Sequence, residues 1–337
     1  MRRWVLRLLV LAACLAALGW TLASLGPRRV VAAAAAADPG WLALSALAVV
    51  VRYLVWTVKW RTMLRRSGPF PWLESARTLL AGVFVNLTTP TAKLAGGFVR
   101  AAMVHRRTGW GFARSYGWSF ADQFTNSLGN VLLAGALCLG AVAALPPGGS
   151  DRGVLVGLGT AALVGVAVVV SLRGWAWRQV ARPAASRWLA RLTPARYRTE
   201  GPDGAHATWL EPTLAPLLRV GRTWRVVPVD LGLAAASCSF LCVSNVCALR
   251  AVGIEAPFVP AAAATVLAGF AGTVAGTVGG IGATELALIG LYGRMEMPAD
   301  GAAAGALLHR TAYYLVSLGL GGLAIAFEGN VRGGSDA

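Results

Sequence analysis

Apolar runs of about 20 residues, the length that crosses a ~30 Å hydrocarbon core, alternate along this chain with arginine-rich connections. Six are unbroken: 4–25, 41–60, 118–145, 153–172, 227–249 and 305–327. Two more, 78–100 and 259–293, are apolar but punctured by glycine. In the first, Gly82-Val-Phe-Val-Asn86-Leu-Thr-Thr-Pro90 runs into Gly96-Gly97 and ends at Arg100. In the second, Gly269 leads through Gly272, Gly276 and Gly279-Gly280-Ile-Gly282 to Glu285. First glycine to terminal charge is 18 residues in one and 16 in the other, which points to a distant duplication. A matched pair of Gly/Pro-interrupted hydrophobic segments is the sequence mark of a transporter's binding site. Close helix packing accounts for the glycines alone, but it does not call for a charge of opposite sign at the end of each segment.

Eight hydrophobic segments predict an all-α polytopic membrane protein, and the charge of the loops orients it. Arg2, Arg3 and Arg7 place the N-terminus inside, and two spans return the chain inside at Lys59–Arg77. Arg100, Arg106, Arg107 and Arg114 follow the first punctured segment, which therefore enters and leaves by the same face. The stretch 173–226 sets ten Arg against Glu200, Asp203 and Glu211, a net +7, and falls inside as well; the connection Arg294, Glu296, Asp300 falls outside. Each half then reads span, span, re-entrant hairpin, span, giving six full spans and two hairpins. An odd number of spans per half turns the second half upside down. The inverted repeat is 1–145 and 153–328 within a single transmembrane domain over 1–330, leaving 331–337 as a short tail, with both termini cytoplasmic. Irregular backbone at membrane depth must be enclosed by protein or line a water-filled cavity, so the hairpins are expected to meet.

The chain is 56% hydrophobic with a net charge of +17, and the segregation of that charge into loops reads as orientation and excludes nucleic acid as the partner. Only Lys59 and Lys93 stand beside 29 Arg, and with the abundance of Ala and Gly this points to a GC-rich bacterial genome and hence a bacterial inner membrane. The five cysteines all lie in apolar spans without metal-site spacing, so they read as buried small hydrophobes, and no metal or cofactor is expected. Leu11-Ala-Ala-Cys14 imitates a lipoprotein cleavage box, but apolar sequence continues to Leu25, as in an uncleaved span. Arg173, Trp175, Trp177, Arg178, Arg182, Arg187, Trp188, Arg191 and Tyr197 interleave cations with aromatics, which fits either an interfacial helix on anionic headgroups or a generic basic loop.

A charge at the centre of a span costs ~2.5–3.5 kcal/mol even on the lenient insertion scale, so those retained are functional candidates. They are Arg52, Arg100, Asp122, Glu285 and Arg310. Asp122 and Gln123, followed by Asn126 and Asn130, form a polar stripe that serves either as a helix–helix seam or as a cavity wall. Gly279-Gly280-Ile-Gly282 ends one half-helix and lets the next begin near Thr284, where exposed amides favour an anion; Lys93 and Arg100 add cations from the opposite hairpin. Glu285 reads as the partner of an Arg or as a proton-coupling group. Arg100 and Glu285 are expected near one cavity, paired directly or bridged by a headgroup. His105 and His309 have no nucleophile or paired carboxylate at catalytic spacing, so both read as satisfied or interfacial.

Asn86, Pro90, Gly96, Arg100, Asp122, then Gly279-Gly280-Ile-Gly282 with Glu285, then Arg310 with Tyr313 and Tyr314, resemble the flippase-like membrane domain family, also called the lysylphosphatidylglycerol synthase transmembrane region, over roughly residues 1–330. The resemblance implies substrate binding by Asn86, Pro90, Gly96 and Arg100 in the first half and by Gly279, Gly280, Gly282, Glu285 and Arg310 in the second, to which the residues themselves add Thr89, Lys93, Asp122 and Gln123. Three positions depart from the family pattern. Gly97 stands where an acidic residue is common, Gln123 where an Arg is common, and Thr277-Val278 lacks the usual proline.

These features together predict a protein that binds or translocates a lipid or lipid-linked substrate with an anionic headgroup. Its partners are expected to be membrane lipids and a separately encoded glycosyl- or aminoacyl-transferase. In bifunctional relatives a soluble aminoacyl-transfer domain follows the membrane region; only ten residues follow Phe327 here, so no enzymatic activity is expected. The alternatives are an intramembrane lipid- or polyprenyl-phosphate-modifying transferase, for which Asp122 with Glu285 is the only conceivable acid pair, and a non-catalytic membrane partner or scaffold.

Overall fold

The computed structural model describes residues 26–89, 94–143, 150–180 and 226–333, the strand residues 198–200 and 206–208, and scattered positions among 12–24 and at 213 and 216. The first expected span, 4–25, lies largely outside the described residues, as does most of the basic stretch after 180.

The helices are α1 (Pro27–Ala35), α2 (Pro39–Arg65), α3 (Trp72–Thr88), α4 (Leu94–Thr108), α5 (Phe112–Val142), α6 (Ser150–Val180), α7 (Val226–Ala251), α8 (Phe258–Ala275), α9 (Ala283–Arg294) and α10 (Ala299–Gly333). Outside them, Arg198–Glu200 pairs antiparallel with His206–Thr208, a small exception to the all-helical reading. Six helices among the described residues are long and apolar enough to cross a membrane: α2, α5, the 152–172 part of α6, α7, α8 and the 299–327 part of α10. Five match expected spans. The sixth, Phe258–Ala275, belongs to the second punctured segment, whose first half is thus by itself as long as a span. The interfacial helix expected from Arg173 onward does not begin separately there, because α6 continues unbroken to Val180.

The centre of the fold is the antiparallel pair α2 and α7. Asp38 caps α2, its Oδ1 accepting from the amides of Gly40 at 2.7 Å and Trp41 at 3.1 Å, with Pro39 at the first helical position. The Asp38 amide in turn donates to the Ala251 carbonyl at 2.8 Å, tying the start of α2 to the end of α7. Ser45 Oγ bonds the Ser244 carbonyl at 2.8 Å, and Ser237 Oγ donates to the Arg52 carbonyl at 3.2 Å. At the far end Arg66 forks onto Asp230, both bonds at 2.8 Å. Asp38, Ser45 and Arg52 are seven residues apart and so are their partners, so the contacts recur every two turns. Small polar residues at such a seam let helices approach closely and bond across, since lipid supplies no hydrophobic drive.

Both punctured segments are helix–break–helix units. In each, the chain folds back so that its two helices pack side by side. On α3 and α4 the approach is close enough that a Cβ on Gly96 would lie 2.1 Å from the Gly82 carbonyl, and Asn86 Oδ1 accepts from the Gly96 amide at 2.9 Å. The second break is built from left-handed glycines: Gly276, Gly279, Gly280 and Gly282 have φ of 64, 58, 79 and 83°, values that side-chain-bearing residues adopt at a cost. The two breaks touch, because Leu87 at the end of α3 packs against Gly279. The expected meeting of the punctured segments is therefore present. Cys138, Cys238, Cys242 and Cys247 are buried and form no disulfide among the described residues, in keeping with their reading as small buried hydrophobes.

Candidate functional site

Apart from Arg52 and the Arg66–Asp230 pair of the seam, the buried charged residues described collect into two centres, one in each half. In the first, α5 supplies Asp122, which is fully buried. Lys59 Nζ of α2 reaches its Oδ1 at 2.7 Å and its carbonyl at 2.9 Å. Arg100 Nη2 of α4 lies 2.9 Å from Oδ2, in ion-pair range but off the line of a hydrogen bond, and Trp56 Nε1 donates to the same oxygen at 3.0 Å. The Trp60 ring faces the Arg100 guanidinium at 3.9 Å. The close packing of α4 on α3 is what delivers Arg100 to this point, since a Cβ on Gly82 would sit 2.5 Å from its stem.

In the second centre, Glu285 sits in the first turn of α9, where the helix dipole favours its charge. Arg310 Nε of α10 donates to Glu285 Oε1 at 2.8 Å. Arg310 Nη2 donates to the Gly279 carbonyl at 2.8 Å and bonds Tyr314 Oη, which also donates to Gly279 O at 3.0 Å. Arg310 thus pins the glycine break as well as neutralising Glu285, whose Oε2 is buried without a partner. Removing water from such pairs costs several kcal/mol per ion, offset only where geometry is good and the remaining donors are satisfied. The second centre meets that condition for Arg310; the first leaves Arg100 Nε without a hydrogen bond.

Direct pairing of Arg100 with Glu285, one of the two expected arrangements, does not occur. Each finds a partner within its own half: Asp122 for Arg100 and Arg310 for Glu285. The alternative reading of Glu285 as the partner of an Arg holds. Asn86 and Gly96 meet each other, Asn86 acting as a cap on the first turn of α4. Thr89 Oγ1 bonds back to the Val85 carbonyl at 2.6 Å. Gly280 lies beside Thr284 and Arg310, and Gly282 precedes α9. Pro90 and Lys93 lie outside the described residues. Gln123 faces Gly97, where a Cβ would stand 2.7 Å from its Nε2, so two departures from the family pattern occupy facing positions. His309 is buried and bonded to Ser244 Oγ at 3.1 Å, a satisfied structural histidine.

Sequence reasoning missed Lys59, Trp56 and Trp60. Lys59 stands where the charge pattern expects an end-of-span cation, but it is fully buried. The signal was its spacing: Arg52, Trp56, Lys59 and Trp60 fall at intervals that share one helix face. That face makes a continuous path between the centres. Trp56 touches Asp122 and also lies 5.7 Å from the Arg52 guanidinium, and Tyr313 carries Arg52 at 5.4 Å and Arg310 at 5.2 Å.

No curated protein matches the chain. The model of one family, the lysylphosphatidylglycerol synthase TM region, matches residues 4–321. A match of that extent takes in both broken segments, both charge centres, five of the six membrane-length helices described and most of the sixth, and the chain belongs to this family of multi-pass membrane domains.

Proposed function

We propose that the chain is a flippase-like unit of a bacterial inner membrane that binds and translocates a lipid or lipid-linked substrate with an anionic headgroup. One observation carries this reading: among the described residues Lys59, Arg100, Arg310 and Arg52 lie in or beside the two centres against Asp122 and Glu285, while the further buried carboxylate, Asp230, is matched by Arg66. An uncompensated positive charge at membrane depth is stabilised by an anion, and a lipid headgroup is the anion a membrane supplies. Occupation of Asp122 by Lys59 and Arg100, and of Glu285 by Arg310, supports binding over the transferase alternative, which requires those carboxylates to work as a free pair. The lipid product of a separately encoded glycosyl- or aminoacyl-transferase suits such a site. Native mass spectrometry of the purified protein should show anionic phospholipids retained over zwitterionic ones, and equal retention would count against the reading.

In this reading the broken segments are re-entrant hairpins of an inverted repeat, which the antiparallel α2–α7 pair and the touching breaks support. The arginine distribution puts both termini and the 173–226 stretch in the cytoplasm. Reporter fusions at Gly148 and Ala256 are expected to read periplasmic and one at Pro202 cytoplasmic; a periplasmic signal at Pro202 would defeat the inverted arrangement.

A further inference from the structure

One buried cation belongs to neither centre. Arg52 stands in the middle of α2, within the seam with α7, and no carboxylate lies in ion-pair range of it among the described residues. The residue as a whole is half-buried, yet its Nε and Nη1 are buried and engage no hydrogen-bond acceptor. What surrounds the guanidinium is aromatic: Tyr53 at 5.4 Å, Trp56 at 5.7 Å and Tyr313 at 5.4 Å from ring centroids, with the Tyr313 side chain also hydrogen-bonded to the group. Rings attract a cation but accept none of its N–H groups in line. Nε and Nη1 lie on different edges of the guanidinium, each left for an oxygen of a ligand, and phosphate, with several acceptor oxygens, suits such a group.

Position strengthens the case. Trp56 also donates to Asp122, and Tyr313 also carries Arg310, so Arg52 stands midway along the path from one centre to the other. Two guanidinium groups sharing one tyrosine ring repel each other, and Glu285 is engaged by Arg310 alone. An anion at Arg52 removes that repulsion and accepts from a buried N–H that otherwise lacks an acceptor.

We propose that Arg52 is an anion-binding residue that takes a phosphate group between the Asp122 and Glu285 centres. The proposal rests on the anionic-headgroup reading for its substrate class and adds the place where the phosphate is held. A lipid headgroup and free phosphate share this chemistry, and the test separates them.

The full chain, purified and delipidated in detergent, is compared as wild type, Arg52→Gln and Arg52→Lys by thermal unfolding. Each is measured alone, with phosphatidylglycerol, with phosphatidylcholine and with inorganic phosphate. Without lipid, Arg52→Gln is expected to unfold at or above the wild-type temperature, because the unpartnered charge is gone. With phosphatidylglycerol its stabilising shift should fall by at least half, and Arg52→Lys, which keeps the charge but loses the fork, should fall between the two. A shift with inorganic phosphate that Arg52→Gln abolishes supports the same site with a free phosphate as ligand. Arg52→Gln destabilised without lipid yet retaining the full phosphatidylglycerol shift would make Arg52 a structural cation and overturn the proposal. Should Arg52→Gln yield no folded protein, a full shift in Arg52→Lys overturns it equally. Equal shifts from phosphatidylglycerol and phosphatidylcholine in the wild type would instead remove the anionic-headgroup reading itself, and the proposal with it.

Discussion

Asp122→Asn is expected to abolish recovery of monodisperse protein, while Lys59→Met leaves most of it. The asymmetry follows from the count at the first centre, where one carboxylate serves two cations. Neutralising Asp122 strands both Lys59, fully buried, and Arg100, 3% exposed. Leaving a buried charge unpaired costs about 3–5 kcal/mol, against a total stability of about 5–15 kcal/mol for a typical domain. Lys59→Met removes one charge, keeps a chain of similar volume, and leaves Arg100 and Asp122 as a one-to-one pair. Size-exclusion profiles of the detergent-solubilised variants, with unfolding temperatures, read the difference. Equal damage from the two substitutions would mean that the charge count does not govern the centre.

At the second centre the expected result concerns shape as much as charge. Arg310→Lys keeps the cation but cannot serve Glu285, the Gly279 carbonyl and Tyr314 at once. Each charge-assisted bond is worth about 1.5–3 kcal/mol, so a clear loss of stability is expected. Arg310→Gln should lose more, since it also strands Glu285. Exchanging the pair, Glu285→Arg with Arg310→Glu, should recover part of the stability of the single variants. The exchange Arg100→Glu with Glu285→Arg should recover none, because it breaks two separate pairs whose defects add. Unfolding temperatures across both double-mutant cycles decide this; rescue by the Arg100–Glu285 exchange would contradict the partners seen here.

The spans were legible because apolar length is a direct consequence of bilayer thickness, and α2, α5, α6, α7 and α10 fall where the runs predict. The broken segments were legible from glycine. Ion-pair partners were harder. Opposite charges at matching ends of two repeats invited a pairing of Arg100 with Glu285, yet the sequence contains no term for which neighbour a fold brings nearer. Asp122, from the next helix along, reaches Arg100 first. Lys59 was hidden by the positive-inside expectation, which assigns every cation near a span end to the water side; only the helix-face spacing of Arg52, Trp56 and Lys59 marks it as internal. Gly97 and Gln123 were visible in the sequence as two separate features, and only packing shows that they face each other.

If the protein translocates a lipid as proposed, the α2–α7 seam is the part expected to stay fixed. Its contacts at Asp38, Ser45, Arg52 and Arg66 fix register along nearly the whole of α2, so sliding by one residue would break every one of them. The pair therefore behaves as a fulcrum. In that reading, rocking is expected of the parts joined by glycine contacts and side-chain clamps, α3 with α4 and α8 with α9, about a stationary axle. A cross-link between positions 45 and 244 should leave turnover intact, whereas one fastening Leu87 to Gly279 should arrest it.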